Sequence, residues 1–134
     1  MRYLAIDFGE RRTGLALCDR EEIITSPLCV LEGQKDLCQK IAHIIEQEKI
    51  ETLIVGLPIN MDNTQGFQAQ RVKRFVAQLE KTVSIPIHLQ DERLSSFSAK
   101  EKIADAGWTR KKKKKHLDAI AAADILAAFL EQKQ

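Results

Sequence analysis

Three strand-like runs crowd into the first 31 residues, and their spacing limits the fold before any motif is read. Tyr3–Asp7 (YLAID), Thr13–Asp19 (TGLALCD) and Glu22–Leu31 (EIITSPLCVL) are rich in aliphatic and β-branched residues. Turns of about five and two residues separate them. A parallel connection needs a crossover of a dozen residues or more, so these runs form an antiparallel meander. Pro27 cannot donate to a ladder, which places the third strand at an edge.

The hydrophobic period then changes. Leu37, Ile41, Ile44 and Ile45 recur at helical spacing, predicting a helix over 36–49. TLIVGLP (Thr52–Pro58) is continuously apolar, the pattern of a parallel strand buried on both faces. After the polar loop INMDNTQG, Thr64 is the expected N-cap of a helix carrying Ala69, Val72, Phe75, Val76 and Leu79 on one face. IPIHLQDE (Ile85–Glu92) is the fifth strand. A helix is expected over 96–106, with a capping box from Ser98 to Glu101 and a stop at Gly107. The last helix is expected over 117–130. The order βββαβαβαα gives an α/β fold with a mixed five-stranded sheet and helices on its faces, in a single domain spanning 1–134.

Nothing in the composition points to a membrane. No apolar run approaches the ~20 residues of a spanning helix, and Asp7 interrupts the N-terminal apolar stretch before it could read as a signal peptide. The expected setting is the cytoplasm. Cys18, Cys29 and Cys38 lack the close pairing of a zinc or redox motif and read as buried free thiols. His43, His88 and His116 have no spacing that marks a catalytic histidine. The net charge of +2 conceals a gradient: residues 110–134 carry +4 and residues 1–109 carry −2. The positive end is concentrated in RKKKKKH (Arg110–His116), which repels itself unless solvated or matched by an anion such as phosphate.

Carboxylates close two of the strands. Asp7 ends the first; Asp91 and Glu92 end the fifth and, by alternation, point to opposite faces. Only one of that pair can face Asp7, and spacing alone leaves open which. Sites in open α/β sheets lie beyond the carboxyl ends of the strands. On the last helix, Asp118 falls within about 60° of Ala121, Ala122, Ile125 and Phe129, an apolar stripe expected to face the sheet. Asp124 is turned about 120° from Asp118 and is the weaker candidate. Convergent carboxylates repel one another unless a cation neutralises them, and hard oxygen donors suit Mg²⁺ or Mn²⁺. Two such ions ~4 Å apart can activate water against a phosphodiester. Gly9 would let the turn pass close to metal or phosphate. The spacing Gly9–Gly14 imitates a P-loop, but Leu15 and Ala16 stand where Lys and Ser/Thr are required, and a strand follows instead of a helix.

Four blocks, DFGERRTGLAL, VGLPINMDNTQG, DERLSSFSA and LDAIAAADILAAFL, resemble in order the signature blocks of the YqgF family, over essentially the whole chain. That family is similar to Holliday-junction resolvases and has the ribonuclease H-like fold. The resemblance implies a metal-dependent nuclease that processes the 5′ end of pre-16S rRNA during ribosome biogenesis. It places the acidic ligands at Asp7, Glu92 and Asp118, choosing Glu92 over Asp91, with Mg²⁺ or Mn²⁺ as cofactor. Where the family reads Asp-Gly-Thr this chain has Asp62-Asn63-Thr64; Asn tolerates positive φ, so the turn is expected to survive.

Arg11, Arg12, Arg93, Arg110, Lys111, Lys112, Lys113, Lys114 and Lys115 are the expected phosphate contacts, positioning a strand without reading its sequence. The partner is a nucleic acid, pre-rRNA ahead of branched DNA, with ribosomal precursor particles beyond it. The protein itself is expected to be a monomer or weak dimer. Two alternatives are a DNA junction resolvase and a non-catalytic RNA- or ribosome-binding assembly factor. An actin-like or sugar-kinase ATPase is disfavoured, because such proteins bind ATP between two lobes and one domain supplies no second lobe.

Overall fold

The computed structural model describes residues 1–60, 62–94 and 109–133. Its strands are β1 (Tyr3–Asp7), β2 (Arg12–Cys18), β3 (Thr25–Glu32), β4 (Thr52–Leu57) and β5 (Ile87–Asp91). Its α-helices are α1 (Leu37–Glu48), α2 (Phe67–Thr82), α3 (Arg110–Lys115) and α4 (Leu117–Lys133), and a 3₁₀ turn, Glu92–Leu94, follows β5. The five strands form one sheet in the order β3-β2-β1-β4-β5. β1–β2 and β2–β3 are antiparallel; β1–β4 and β4–β5 are parallel. The mixed sheet expected from the spacing of the runs is present. Pro27 lies on the edge strand, where the register with β2 skips a residue between Leu15 and Ala16.

Alternation divides the side chains between two cores. Leu4, Ile6, Leu15, Leu53 and Val55 point to one face and pack with Leu37 and Ile41 of α1 and Val72, Phe75 and Leu79 of α2. Tyr3, Ala5, Ala16, Cys18 and Ile54 point to the other and pack with Ala122, Ala123, Ile125, Leu126 and Leu130 of α4. Alanines fill so much of the α4 contact that its backbone approaches the sheet closely. That approach positions the site.

Several boundaries depart from expectation. Thr64 does not cap α2: its hydroxyl donates to Asp62 Oδ1 and accepts from Asn60 Nδ2, closing a loop, and Gly66 stands at the N-cap without a side-chain bond. Asn63 has φ 70°, so the turn survives the substitution of Asn for Gly. The lysine run forms the short helix α3, separated from α4 by a turn at His116. Its start is bridged by the Lys112 amide donating to Thr109 Oγ1 at 3.2 Å. The helix expected over 96–106, with its capping box and Gly107, lies outside the described residues. Of the three free thiols only Cys18 is buried; Cys29 and Cys38 are half-buried. Among the described residues no helix is long and apolar enough to cross a membrane.

Candidate active site

Asp7 is the last residue of β1 and shares its face with Tyr3 and Ala5, beneath α4. Its ladder partner on β2 is Gly14. On the other side Ile6 pairs with Val55, so the next position on β4, beside Asp7, is Gly56. Both neighbours of Asp7 are therefore residues without a side chain.

Each glycine makes room for a second carboxylate. A Cβ on Gly14 would lie 1.9 Å from the Asp118 carbonyl oxygen and 2.6 Å from the Ala119 nitrogen. The first turn of α4 thus rests directly on β2, which delivers Asp118 to the side of Asp7. A Cβ on Gly56 would lie 2.6 Å from Glu92 Oε1 and 2.5 Å from Ile125 Cδ1. The Glu92 side chain folds into the space that Gly56 leaves. Of the two acids Asp91 and Glu92, the one that turns toward Asp7 is therefore Glu92, at the start of the 3₁₀ turn after β5. Gly9 has a more local part than expected, since a Cβ there would meet the Arg12 carbonyl oxygen at 2.4 Å within the turn.

The electrostatics follow from this crowding. Burial, and then repulsion from Glu92 and Asp118, push the Asp7 carboxyl from 3.8 up to about 7. Glu92 is also raised, by burial of its carboxyl and then by Asp91. Asp118 has an ion pair with Arg12, Oδ2 to Nε at 3.8 Å. Among the described residues no group of three His, Cys, Asp or Glu side chains is drawn together tightly enough to hold a metal ion.

The basic residues divide into two sets. Arg11 and Arg12 are exposed at the turn into β2, and Arg110, Lys111 and Lys112 are exposed on α3, which Lys113, Lys114 and Lys115 complete. Arg93 is engaged within the protein instead. Its Nε donates to Asp91 at 3.1 Å and one terminal nitrogen to Asp91 Oδ2 at 2.8 Å. The other terminal nitrogen donates to the Asn60 carbonyl at 3.0 Å and Asn63 Oδ1 at 2.8 Å. This clamp ties the end of β5 to the 60–64 loop and holds Asp91 below the usual carboxylate range.

Beside Asp7, between β5 and α4, lies a cleft of about 270 Å³. Asp7, Gln90 and Glu92 line it from the sheet, and Asp124, Ile125 and Ala128 line it from the helix. Asp124, the weaker candidate on the helical wheel, lines the cleft because the stripe that packs on the sheet is centred one position away from the one the apolar pattern predicts. The residues of α4 packed on the sheet centre on Ala122, Ala123, Leu126 and Leu130, which turns the flank carrying Ala121, Asp124 and Ala128 toward the cleft. Sequence reasoning passed over Gln90 altogether, and it read Gly14 only as part of a false P-loop. The available signal was an in-register glycine on each strand flanking a strand-ending Asp.

The chain is similar to known proteins over its full length. The RuvX family, described as Holliday junction resolvase, matches residues 1–132. A relative from Maridesulfovibrio salexigens, named as a candidate pre-16S rRNA nuclease, is 40% identical over 132 residues, covering 97% of this chain and 98% of its own. One of the same name from Protochlamydia amoebophila is 37% identical over 141 residues, covering 98% and 94%. Among solved structures, Thermus thermophilus RuvC in complex with a Holliday junction superposes with a TM-score of 0.64 at 14% identity, covering 99% of this chain and 95% of that one. Fowlpox virus Holliday junction resolvase gives 0.57, also at 14% identity, covering 98% and 99%. These likenesses place the mixed sheet in the RuvC-like, ribonuclease H-like class. The match over residues 1–132, with relatives at 37–40% identity over nearly the whole chain, means that this protein belongs to the RuvX family, the YqgF family that its four sequence blocks resemble.

Proposed function

We propose that the protein is a metal-dependent nuclease that hydrolyses phosphodiester bonds of structured RNA, and that its substrate is the 5′-extended precursor of 16S rRNA. The observation that carries this is the seat of Asp7. It is held between two glycines, and burial, followed by the carboxylates brought in over them, Glu92 and Asp118, pushes it up to about 7. A fold does not maintain that repulsion for stability, and perturbed carboxylates in a cleft mark a working site. The relatives' names support RNA as the substrate.

The chemistry of the donors suits a hard divalent cation, oxygen ligands whose mutual repulsion a positive charge removes, and binding would require the three carboxylates to close around it from their present spacing. Asp7, Glu92 and Asp118 would hold Mg²⁺ or Mn²⁺. The chemistry such a cation supplies when bound is Lewis acidity toward water and phosphate oxygens. The chain's own residues do the rest. Asp7 sits at a fixed strand end, and a cation held there would displace its proton, so metal affinity is expected to rise with pH through about 7. Arg12 holds Asp118 in the absence of substrate and is drawn to a phosphate when one arrives, which frees Asp118 for the site. Arg11 and the α3 residues Arg110–Lys115 hold the phosphates on either side of the scissile bond.

The test is cleavage of two labelled substrates, a 5′-extended small-subunit rRNA precursor fragment and a four-way DNA junction, each with Mg²⁺, Mn²⁺ or EDTA. The expected result is cutting of the RNA in either metal and none in EDTA. Preferential cutting of the junction would transfer the proposal to a resolvase. RNA binding without any cutting would leave an assembly factor.

A further inference from the structure

The cleft beyond Asp7 has a residue that the proposed hydrolysis does not use. Gln90 is 6% exposed, and its amide nitrogen Nε2 is buried with no hydrogen-bond partner among the described residues. Leaving such a donor unpaired in the interior is unfavourable, and a ligand that supplies the missing acceptor relieves it. Gln90 also stands in register with Gly56, the neighbour of Asp7 on β4. Across β1, β4 and β5 the row therefore reads acid, glycine, amide, on the face that α4 covers.

We propose that this cleft is the subsite for the ribose next to the scissile phosphate, and that the Gln90 carboxamide reads its 2′-hydroxyl, making Gln90 the residue that favours RNA over DNA. The inference rests on the nuclease reading above.

Three features select the sugar. Beyond Asp7 and Glu92, which would hold the cation, the cleft carries the Asp124 carboxylate, which disfavours a second phosphate and suits a hydrogen-bond donor. The opposite wall, Ala121, Ile125 and Ala128, is apolar and suits the face of a sugar ring. The group bonded directly to a phosphate seated at Asp7 is a sugar, so a sugar is what the adjoining space receives. A 2′-hydroxyl both donates and accepts, matching a carboxylate on one side and an amide N–H on the other; deoxyribose offers neither. A site built to hydrogen-bond a hydroxyl rejects the analogue that lacks it, because its own buried group is then left unpaired.

The experiment uses the full chain and an oligoribonucleotide carrying the cleaved sequence. It is compared with versions bearing a single 2′-deoxy substitution at one or the other nucleotide flanking the cut. The readouts are kcat/KM with Mg²⁺ and, separately, Kd by fluorescence anisotropy. Wild type is expected to favour the all-ribose oligomer about tenfold over one of the two substituted versions. In Gln90→Leu that ratio falls to about one, while Tm is unchanged or higher because an unpaired buried amide is gone. A merely structural glutamine would leave the ratio intact and lower Tm. A ratio preserved in Gln90→Leu, a wild type indifferent to the 2′-hydroxyl, or a preference that follows base identity instead overturns the proposal. If nothing is cut, yet binding retains a ribose preference that Gln90→Leu loses, the subsite stands and the nuclease reading falls.

Discussion

Asp7 is held where its charge is unwelcome. A carboxyl at about 7 in the folded chain and 3.8 unfolded binds its proton more firmly when folded. Folding is therefore favoured as pH falls from about 7 toward 4, and above 7 the charged group costs up to about 4 kcal/mol. Asp7→Asn removes that cost. Without metal the variant is expected to have the higher Tm at pH 8, with the difference shrinking as pH falls through 7 toward 4. Thermal denaturation of both proteins in EDTA at pH 5 and pH 8 checks this; an equal or lower Tm for the variant at pH 8 would mean that Asp7 is not crowded as described. The position of Asp7 at a strand end was legible in the sequence, since a carboxylate interrupts the apolar run there. Alternation also put Asp91 and Glu92 on opposite faces. It could not say which faced Asp7, because that depends on which neighbour leaves space, and the space comes from Gly56 on another strand. Gln90 escaped notice because a polar residue in a strand is unremarkable until its partners can be counted.

At the scale of elements, the site depends on how closely α4 approaches the sheet. Gly14 and Gly56 make different predictions. A methyl at Gly14 would strike the backbone of Asp118 and Ala119, which cannot move without lifting the helix. Gly14→Ala is expected to cost about 3 kcal/mol or more and to abolish cleavage. A methyl at Gly56 would strike the side-chain ends Glu92 Oε1 and Ile125 Cδ1. Those can rotate away, so Gly56→Ala is expected to cost about 1 kcal/mol while still displacing Glu92 and lowering kcat at least tenfold. Denaturant unfolding beside steady-state kinetics separates the two; similar losses of stability would contradict this account. The strands were legible because their spacing and alternation are local. The helix starts were less so: Thr64 has the chemistry of a cap, but its hydroxyl bonds to Asp62 in the preceding loop instead. The contact of α4 with Gly14 joins residues 104 positions apart, and no window along the chain displays it.

Over the whole molecule, charge is arranged around the carboxylate cluster. A short helix of Arg and Lys leads through His116 directly into α4 and Asp118. Phosphates attracted by α3 are thereby delivered beside the residues proposed to act on them. The segregation of charge was legible from the sequence. That the lysine run is helical was not, because like charges disfavour a helix until capping and an adjoining helix support it. The carboxylates proposed to hold the metal also destabilise the folded chain, which is the expected relation between an active site and stability. The most direct measurement is the Mg²⁺-dependent rate of cleavage of the 5′-extended rRNA fragment by wild type and by Asp7→Asn, both confirmed folded. The account predicts a loss of at least about a thousandfold, roughly 4 kcal/mol of transition-state stabilisation, in a variant that is no less stable. Cleavage by Asp7→Asn within tenfold of wild type would contradict it.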